Sequence, residues 1–524
     1  MTEVSTPEPL VGKEVKDGLP RRFGTNVLAN YLAAAATIAS GLVLTPLLIH
    51  HLGVEAFGVW ALAGSVAVYL DLLDFGFGAA TTKLVAEDAY VRPQGVIRTL
   101  NTSFWVLSLM GVIGLAVGLV MAQFVPDWFS VPHHLASAAT VVVAVLAVSL
   151  ATAIPGDTIG GALAGHQRYD LLALSNMFVA VSTSAVAVGV VLAGGGLIIL
   201  AVSTALMAML AHGLRWIMLR RLVPGLHLSP RLIDRHRLRR TTRLSMWFLV
   251  RDLAVTVVMR IDILVVGAFL GVGEIAVYAV GSKLAQLSDK ILVPISQVFL
   301  PESSVLYRKG DHGGLSALLV DGTRLSLVVG VPITVVLVAL SHPIVRVWVG
   351  PGFRGAPAIL AVMAANFGIR AVTSSAGQLI AGVGWARAAA NISVGEAAVN
   401  LTLSLALIGP LGAVGVAYGT LAGAALVDLP AMMLLACRAA QLPVRTLCRR
   451  ALLPHVVPGA LAIVAAVAGR VVWRATLAGL VSTTAAVLVV YAISYLALGA
   501  TPAERQRLRN AAGSISGLAV GRTS

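Results

Sequence analysis

The sequence predicts an all-α polytopic membrane protein with about 14 transmembrane helices in two pseudo-repeated lobes. Three observations carry that prediction. The 524 residues are 58% hydrophobic and only 12% charged, a composition that no soluble fold of this length tolerates, so a bilayer must be the solvent. Apolar segments recur at the length of about 20 residues that crosses a hydrocarbon core as a helix. Eight arginines between Arg220 and Arg243 split the chain almost in half, as a polar linker between two membrane lobes would.

The elements follow in chain order. Residues 1–24, with Pro7, Pro9, Glu3, Glu8, Glu14 and Asp17, lack the apolar core of a signal peptide and read as a disordered cytoplasmic tail. An N-terminal lobe, residues 25–219, holds six spans: Asn26–His50, Phe57–Ala80, Leu100–Phe124, Ala136–Leu163, Leu171–Ala193 and Leu197–Leu219. The basic linker occupies 220–243. A C-terminal lobe, 244–437, holds Ser245–Leu270, Glu274–Leu300, Arg324–Val345, Ala356–Gly384, Ala388–Ile408 and Leu411–Cys437. Two appended spans, Ala451–Val472 and Ala475–Leu498, fill 438–499, and a second cytoplasmic tail runs from 500 to 524.

Charge orients the spans. With the N-terminus inside, alternate loops hold Lys83, Arg92, Arg98, Arg168, the linker, Arg308, Lys309, Arg324, Arg387, Arg438, Arg445, Arg449 and Arg450, whereas the opposite loops hold only Arg346, Arg354, Arg470 and Arg474. The excess of Lys and Arg places both termini in the cytoplasm. The same distribution accounts for the net charge of +15, so nucleic acid is not an expected partner. Cys437 and Cys448 fall on the reducing side, where a disulfide does not form. The halves echo each other: Leu52-Gly53-Val54 with Val59-Trp60-Ala61 recurs 218 residues later as Leu270-Gly271-Val272 with Val277-Tyr278-Ala279, and parallel repeats of this kind build transporters. Pro155-Gly156-Asp157 and Pro294 are expected to break their helices and expose carbonyls.

Asn30-Tyr31, Thr45-Pro46-Leu47-Leu48, His51 through Trp60 and Leu73-Asp74-Phe75-Gly76-Phe77-Gly78 together resemble the N-terminal signature of polysaccharide-exporting flippases. Gly165-His166-Gln167-Arg168-Tyr169-Asp170 resembles a turn common in the same family, which shares a superfamily with multidrug extrusion carriers and lipid II flippases. The resemblance implies a V-shaped pair of lobes in a bacterial inner membrane. By alternating access they would move a polyprenyl-pyrophosphate-linked oligosaccharide outward, alongside membrane lipids and glycan polymerases or glycosyltransferases as partners.

Charges within the spans mark candidate sites, because each costs on the order of 2.5–3.5 kcal/mol at the bilayer centre and must face a cavity or a partner. The seventh span carries Arg251, Asp252, Arg260 and Asp262, and Arg251 and Asp262 share a face. The eighth carries Lys283, Gln286, Lys290 and Gln297 on one face, with Asp289 expected to point elsewhere. The tenth carries Asn366, Arg370, Ser374 and Gln378 in steps of four. Arg251, Arg260, Lys283, Lys290, Arg370 and Gln378 form the candidate pyrophosphate lining, since guanidinium forks grip phosphate oxygens. The competing reading pairs these cations with Asp71, Asp74, Asp157, Glu396 and Asp428 in a structural network. Asp71, Asp74 and Asp252 are the candidate ion-coupling carboxylates, although Asp74 equally fits a helix-end cap before the glycines.

Nothing in the sequence carries catalysis. A GxxxxGK[ST] phosphate loop is missing, His133 and His134 lack further ligands at metal spacing, and no cofactor motif is present. Two rivals to the flippase remain: a proton- or sodium-coupled exporter of small amphipathic compounds, and a membrane scaffold for envelope assembly.

Overall fold

A computed structural model describes residues 35–88, 93–297, 299–472, 476–502 and 504–506. The expected N-terminal tail, residues 507–524 of the expected C-terminal tail and the first turns of the first span lie outside the described residues. Among the described residues the secondary structure is helical throughout, without a strand. Twelve helices are long and apolar enough to cross a membrane. Two more, α8 (Arg235–Leu270) and α9 (Val272–Gln297), have 36 and 26 residues. These match the seventh and eighth expected spans. The chain is a multi-pass membrane protein with about 14 spans.

The chain divides into two compact units. The first takes the described residues through Leu47, Val66–Pro126 and His133–Asp252, and the second takes Leu48–Ser65, Asp127–Pro132 and the chain from Leu253 onward. Unit 1 is built on α3 (Phe77–Asp88), α4 (Pro93–Trp128), α5 (His133–Gly165), α6 (Tyr169–Leu192) and α7 (Leu197–Leu222). Helix α5 packs on α3 and α7, and Val85, Leu100, Ile159, Leu163, Leu219 and Leu226 bury one core. In unit 2, α13 (Ala356–Gly382) is the hub, packed against α9, α10 (Phe299–Arg308), α11 (His312–Ala339), α12 (Ser341–Val349), α15 (Ala413–Gly423) and α16 (Leu429–Ala439). Helix α14 (Ala386–Leu411) lies along α15. A short α17 (Val444–Leu447) leads into α18 (Val456–Val472), which pairs with α19 (Leu477–Ser494) and reaches α11.

The two repeat turns have the same geometry. Gly53, between α1 (Ala35–Leu52) and α2 (Val54–Asp71), has φ +86°, and Gly271, between α8 and α9, has φ +82°. Both values fall where a Cβ is disfavoured. The echo at Leu52 and Leu270 is therefore a shared backbone bend.

Four sequence expectations need correction. The second span is not one helix: α2 ends at Asp71, Leu72–Asp74 form a 3-10 turn, Phe75 and Gly76 take φ of 51° and 72°, and α3 restarts at Phe77. Conversely, α5 runs unbroken through Pro155 and α9 through residue 294. A proline deprives only the carbonyl four residues back, and around Pro155 the helix absorbs that loss: the carbonyl of Ala151 is covered by Gly111 of α4, where a Cβ would come within 2.7 Å of the oxygen. Arg324 is not a loop cation but lies inside α11 at 5% exposure. The non-helical part of the linker is shorter than 220–243, because α7 runs to Leu222 and α8 already begins at Arg235.

Candidate transport sites in the membrane interior

In unit 2 a cavity of about 260 Å³ opens beside Arg370. From α13, Arg370, Thr373, Ser374 and Gln378 line it, so three members of the predicted stripe meet there, whereas Asn366 is buried outside the lining. Asp289, Leu292, Val293 and Ser296 of α9 form the facing wall. Asp289 was expected to point away, but its carboxylate lies 3.6 Å from Arg370 Nε. Residues 289, 292, 293 and 296 are spaced as one helical face, and that face, not the lysine face, meets α13. Glu396 of α14 and Asp428 complete the charged lining, with Thr373 Oγ1 donating to Asp428 Oδ2 at 2.9 Å. Asp428 sits at the end of a π-turn, Ala424–Asp428, that joins α15 to α16. Three carboxylates thus face one guanidinium.

The other predicted cations lie elsewhere. Lys290 is exposed, and Lys283 is half-buried. No acid is paired with Lys283 among the described residues. Helix α8 passes through Arg251 and Asp252, whose side chains lie outside the described residues, as do those of Pro294 and Gln297.

Asp262 does not depend on a helical neighbour. It is 4% exposed, and its Oδ2 accepts from the Tyr278 hydroxyl and from Thr420 Oγ1, the latter at 2.8 Å. Behind Thr420, Ser404 Oγ donates to Asn400 Oδ1 at 2.9 Å. Asp262 Oδ1 and Asn400 Nδ2 are buried with no hydrogen-bond partner. One carboxylate ringed by neutral oxygens suits a proton or small cation and repels a phosphate. Asn400, Ser404 and Thr420 were missed in the sequence because single neutral residues in apolar helices resemble ordinary packing, though the four-residue step from Asn400 to Ser404 was readable.

In unit 1 a cavity of about 370 Å³ is lined by Asp74, Thr82, Asp157, Asn176 and Arg215, with Gly160 and Gly161 in its wall. Asp74 Oδ1 accepts the Gly76 N–H at 2.7 Å, so this carboxylate shapes the break after α2. Its other oxygen and Asp157 both lie against Gly78. Arg215 Nη2 donates to Asn176 Oδ1 at 2.7 Å, and its Nε donates to Ser175. Asp71 ends α2 on an exposed side and is absent from the lining. Arg215 escaped the sequence reading because it lies one turn from the end of its span, where a cation reads as a snorkelling anchor. The Arg168 guanidinium forks onto Asp170 at 2.9 and 2.8 Å beside Gln167, which has φ +58°. That turn motif is thereby a structural lock at the start of α6. No group of three or more His, Cys, Asp or Glu able to hold a metal occurs among the described residues.

Polar cavities within helical membrane units define a carrier-type membrane fold, and known proteins share it. A lipid II flippase structure in an inward closed conformation matches with TM-score 0.67 at 13% identity, over 89% of this chain and 98% of that one. An inward-facing multidrug resistance transporter of the MATE family matches with TM-score 0.64 at 15% identity, over 82% and 98%. The membrane protein EpsK of Bacillus subtilis is 22% identical over 410 residues, 77% of this chain and 80% of that protein. The polysaccharide biosynthesis protein family matches residues 47–356, and the chain belongs to it.

Proposed function

We propose that this protein is a flippase that carries a polyprenyl-pyrophosphate-linked oligosaccharide across a bacterial inner membrane, from the cytoplasmic to the outer leaflet. It acts as a carrier and not as an enzyme, with both termini and the basic linker in the cytoplasm. Membership of a polysaccharide biosynthesis family, together with the fold of a lipid II flippase, supports the substrate class. The observation that carries an anionic headgroup is Lys283, a half-buried cation within a membrane helix with no acid paired with it among the described residues, since a charge at that depth calls for a counter-ion. Arg251, Arg260, Lys290, Arg370 and Gln378 are proposed to complete the path of the diphosphate. Arg370, which meets Asp289 only through a 3.6 Å contact of its Nε, would turn from it to a phosphate oxygen, which a guanidinium can grip with a fork.

A second reading is favoured by the excess of acid beside Arg370 and by Asp74 with Asp157 in unit 1: a cation-coupled exporter of amphipathic compounds. Asp71, Asp74 and Asp252 would then be its coupling carboxylates. Surface delivery of the lipid-linked glycan, measured beside drug accumulation at matched protein level, separates the two. For the flippase, Arg260→Lys or Arg370→Lys lowers glycan delivery because the fork is lost, and glutamine lowers it further. For the exporter, Asp71→Asn, Asp74→Asn or Asp252→Asn abolishes drug export while the arginine changes are mild. Normal glycan delivery by a stable Arg260→Gln/Arg370→Gln double variant refutes the diphosphate path.

A further inference from the structure

The segment joining α7 to α8 is fixed to unit 1 at several points. Val223 and Leu226 are buried in the core with Val85, Val96, Leu100 and Leu219. Asn101 Nδ2 donates to the His227 carbonyl at 2.9 Å, and Asn101 Oδ1 accepts the Ser229 N–H at 2.7 Å. Thr102 Oγ1 accepts the Asp234 N–H at 3.0 Å. Asp234 then caps α8, its Oδ1 accepting from His236 N at 2.8 Å and Arg237 N at 3.2 Å. Arg237 reaches back to Asp88 at 2.6 Å, and Arg240 pairs with Glu87.

This clamp sorts the eight arginines. Arg237 and Arg240 serve internal ion pairs, which leaves six: Arg220, Arg221, Arg231, Arg235, Arg239 and Arg243. All six are exposed, and none has an acid paired with it among the described residues. On the first turns of α8, Arg237, Thr241 and Ser245 take the inner face, while Arg239 and Arg243 take the outer one. Arg220 and Arg221 end a membrane-spanning helix, which sets them at the level of lipid headgroups. The 36 residues of α8 measure about 54 Å, against a hydrocarbon core of about 30 Å. Counting back from Leu270, the turns from Arg235 to Arg243 therefore stand in the headgroup layer and beyond it. Ile233, 41% exposed, adds an apolar side chain among the cations.

We propose that this clamped segment is a binding surface for anionic phospholipid headgroups of the leaflet it faces, with Arg235, Arg239 and Arg243 as its core. An array on a backbone already fixed loses little backbone freedom on binding, whereas a floppy linker of equal charge would lose more. Its position at the ends of two membrane helices favours lipid over an acidic protein, since headgroups are already within reach.

The test uses the full chain in nanodiscs of phosphatidylcholine with phosphatidylglycerol, reading retained anionic lipid by native mass spectrometry and salt titration. Arg235→Gln/Arg239→Gln/Arg243→Gln is compared with Arg438→Gln/Arg445→Gln/Arg449→Gln, which removes the same charge from other exposed positions. Each arginine near an anionic surface adds about fivefold, so the linker variant is expected to bind anionic lipid on the order of a hundredfold more weakly. The control variant, whose cations are exposed but not part of the clamped array, should retain several-fold more anionic lipid than the linker variant. Lysine at all three linker positions should restore binding, which separates lost charge from lost folding. Equal retention by the two glutamine variants overturns the proposal. So does displacement of phosphatidylglycerol by one equivalent of a polyprenyl diphosphate, which would make the carrier lipid the occupant, and so does binding of a soluble acidic peptide that excludes lipid.

Discussion

Replacing Glu504 by alanine isolates the best-satisfied buried charge among the described residues. Arg324 Nε and Nη2 donate to the Glu504 carboxylate at 2.9 and 2.8 Å. Nη1 donates to the Arg450 carbonyl at 2.7 Å, and Nη2 also donates to the Gly499 carbonyl at 2.7 Å and the Tyr495 hydroxyl at 3.1 Å. The hub ties α11 to the chain on both sides of the α18–α19 pair. His455 extends it, stacked on Tyr495 at 4.8 Å with its Nδ1 against the Tyr491 hydroxyl. Without Glu504, a side chain only 6% exposed keeps three neutral acceptors and loses its counter-charge. Breaking a buried pair this way costs about 3–5 kcal/mol. Glu504 is itself 29% exposed, so water partly takes its place and about 2–3 kcal/mol is expected.

Arg324→Met removes the charge itself, freeing Glu504 to water and orphaning two carbonyls, at about 1–2 kcal/mol. In a double-mutant cycle, adding Glu504→Ala to Arg324→Met should then cost almost nothing more. By thermal unfolding in detergent, Glu504→Ala alone should lower the transition of unit 2 by roughly 4–12 °C. Burial pushes the Glu504 carboxyl up, but the Arg324 hydrogen bonds and the Thr501 N–H outweigh it and hold the group below the ordinary glutamate range. A lowered pKa means the stabilisation is complete above about pH 4.3 and is lost as pH falls through the lowered value. The gap between native and Glu504→Ala should therefore be flat from pH 8 to 5 and close below pH 4. Additive single-variant effects, or a gap that widens in acid, would refute the reasoning.

Three further outcomes are expected. Gly111→Ala should destabilise unit 1 by about 1–3 kcal/mol, because its Cβ would meet the Ala151 carbonyl at 2.7 Å, whereas Gly64→Ala, with nothing within 4 Å, should be neutral or slightly stabilising; equal behaviour in thermal unfolding contradicts the packing. Asp234→Ala removes the α8 cap at a cost of about 1 kcal/mol and should speed proteolytic cleavage of the α7–α8 segment. The Arg237 N–H contributes most to holding the Asp234 carboxyl below the ordinary aspartate range, so this effect too is present at neutral pH and fades only in acid. Single cysteines placed between Arg231 and Arg240 should be protected from an impermeant reagent in intact cells; labelling from outside would invert the orientation.

What was legible in the sequence divides by the physics that sets it. Span number follows from composition and length, because a bilayer enforces about 20 apolar residues per crossing whatever the helix touches. Helix continuity does not, since a proline removes one hydrogen bond whose carbonyl a neighbour such as Gly111 can cover, while Leu72 to Gly76 breaks a run with no proline at all. The charged residues were identifiable by their cost, yet their partners depend on which face of each helix meets which neighbour. Lys283, Gln286 and Lys290 formed the conspicuous polar face of α9, but Asp289, Leu292, Val293 and Ser296 is the face packed on α13, and one acid among apolar residues leaves no periodic signal. The same holds for Asp262, whose partners Tyr278 and Thr420 lie 16 and 158 residues away. Arg324 makes the point from the other side. Read by sequence it was one more loop cation counted toward topology, and only its contacts with Glu504, Arg450 and Gly499 show that a charge near the end of an expected span can be a fastener inside the protein. A positive-inside count tolerates one such misplacement because the asymmetry rests on many residues; a site assignment rests on one or two and does not.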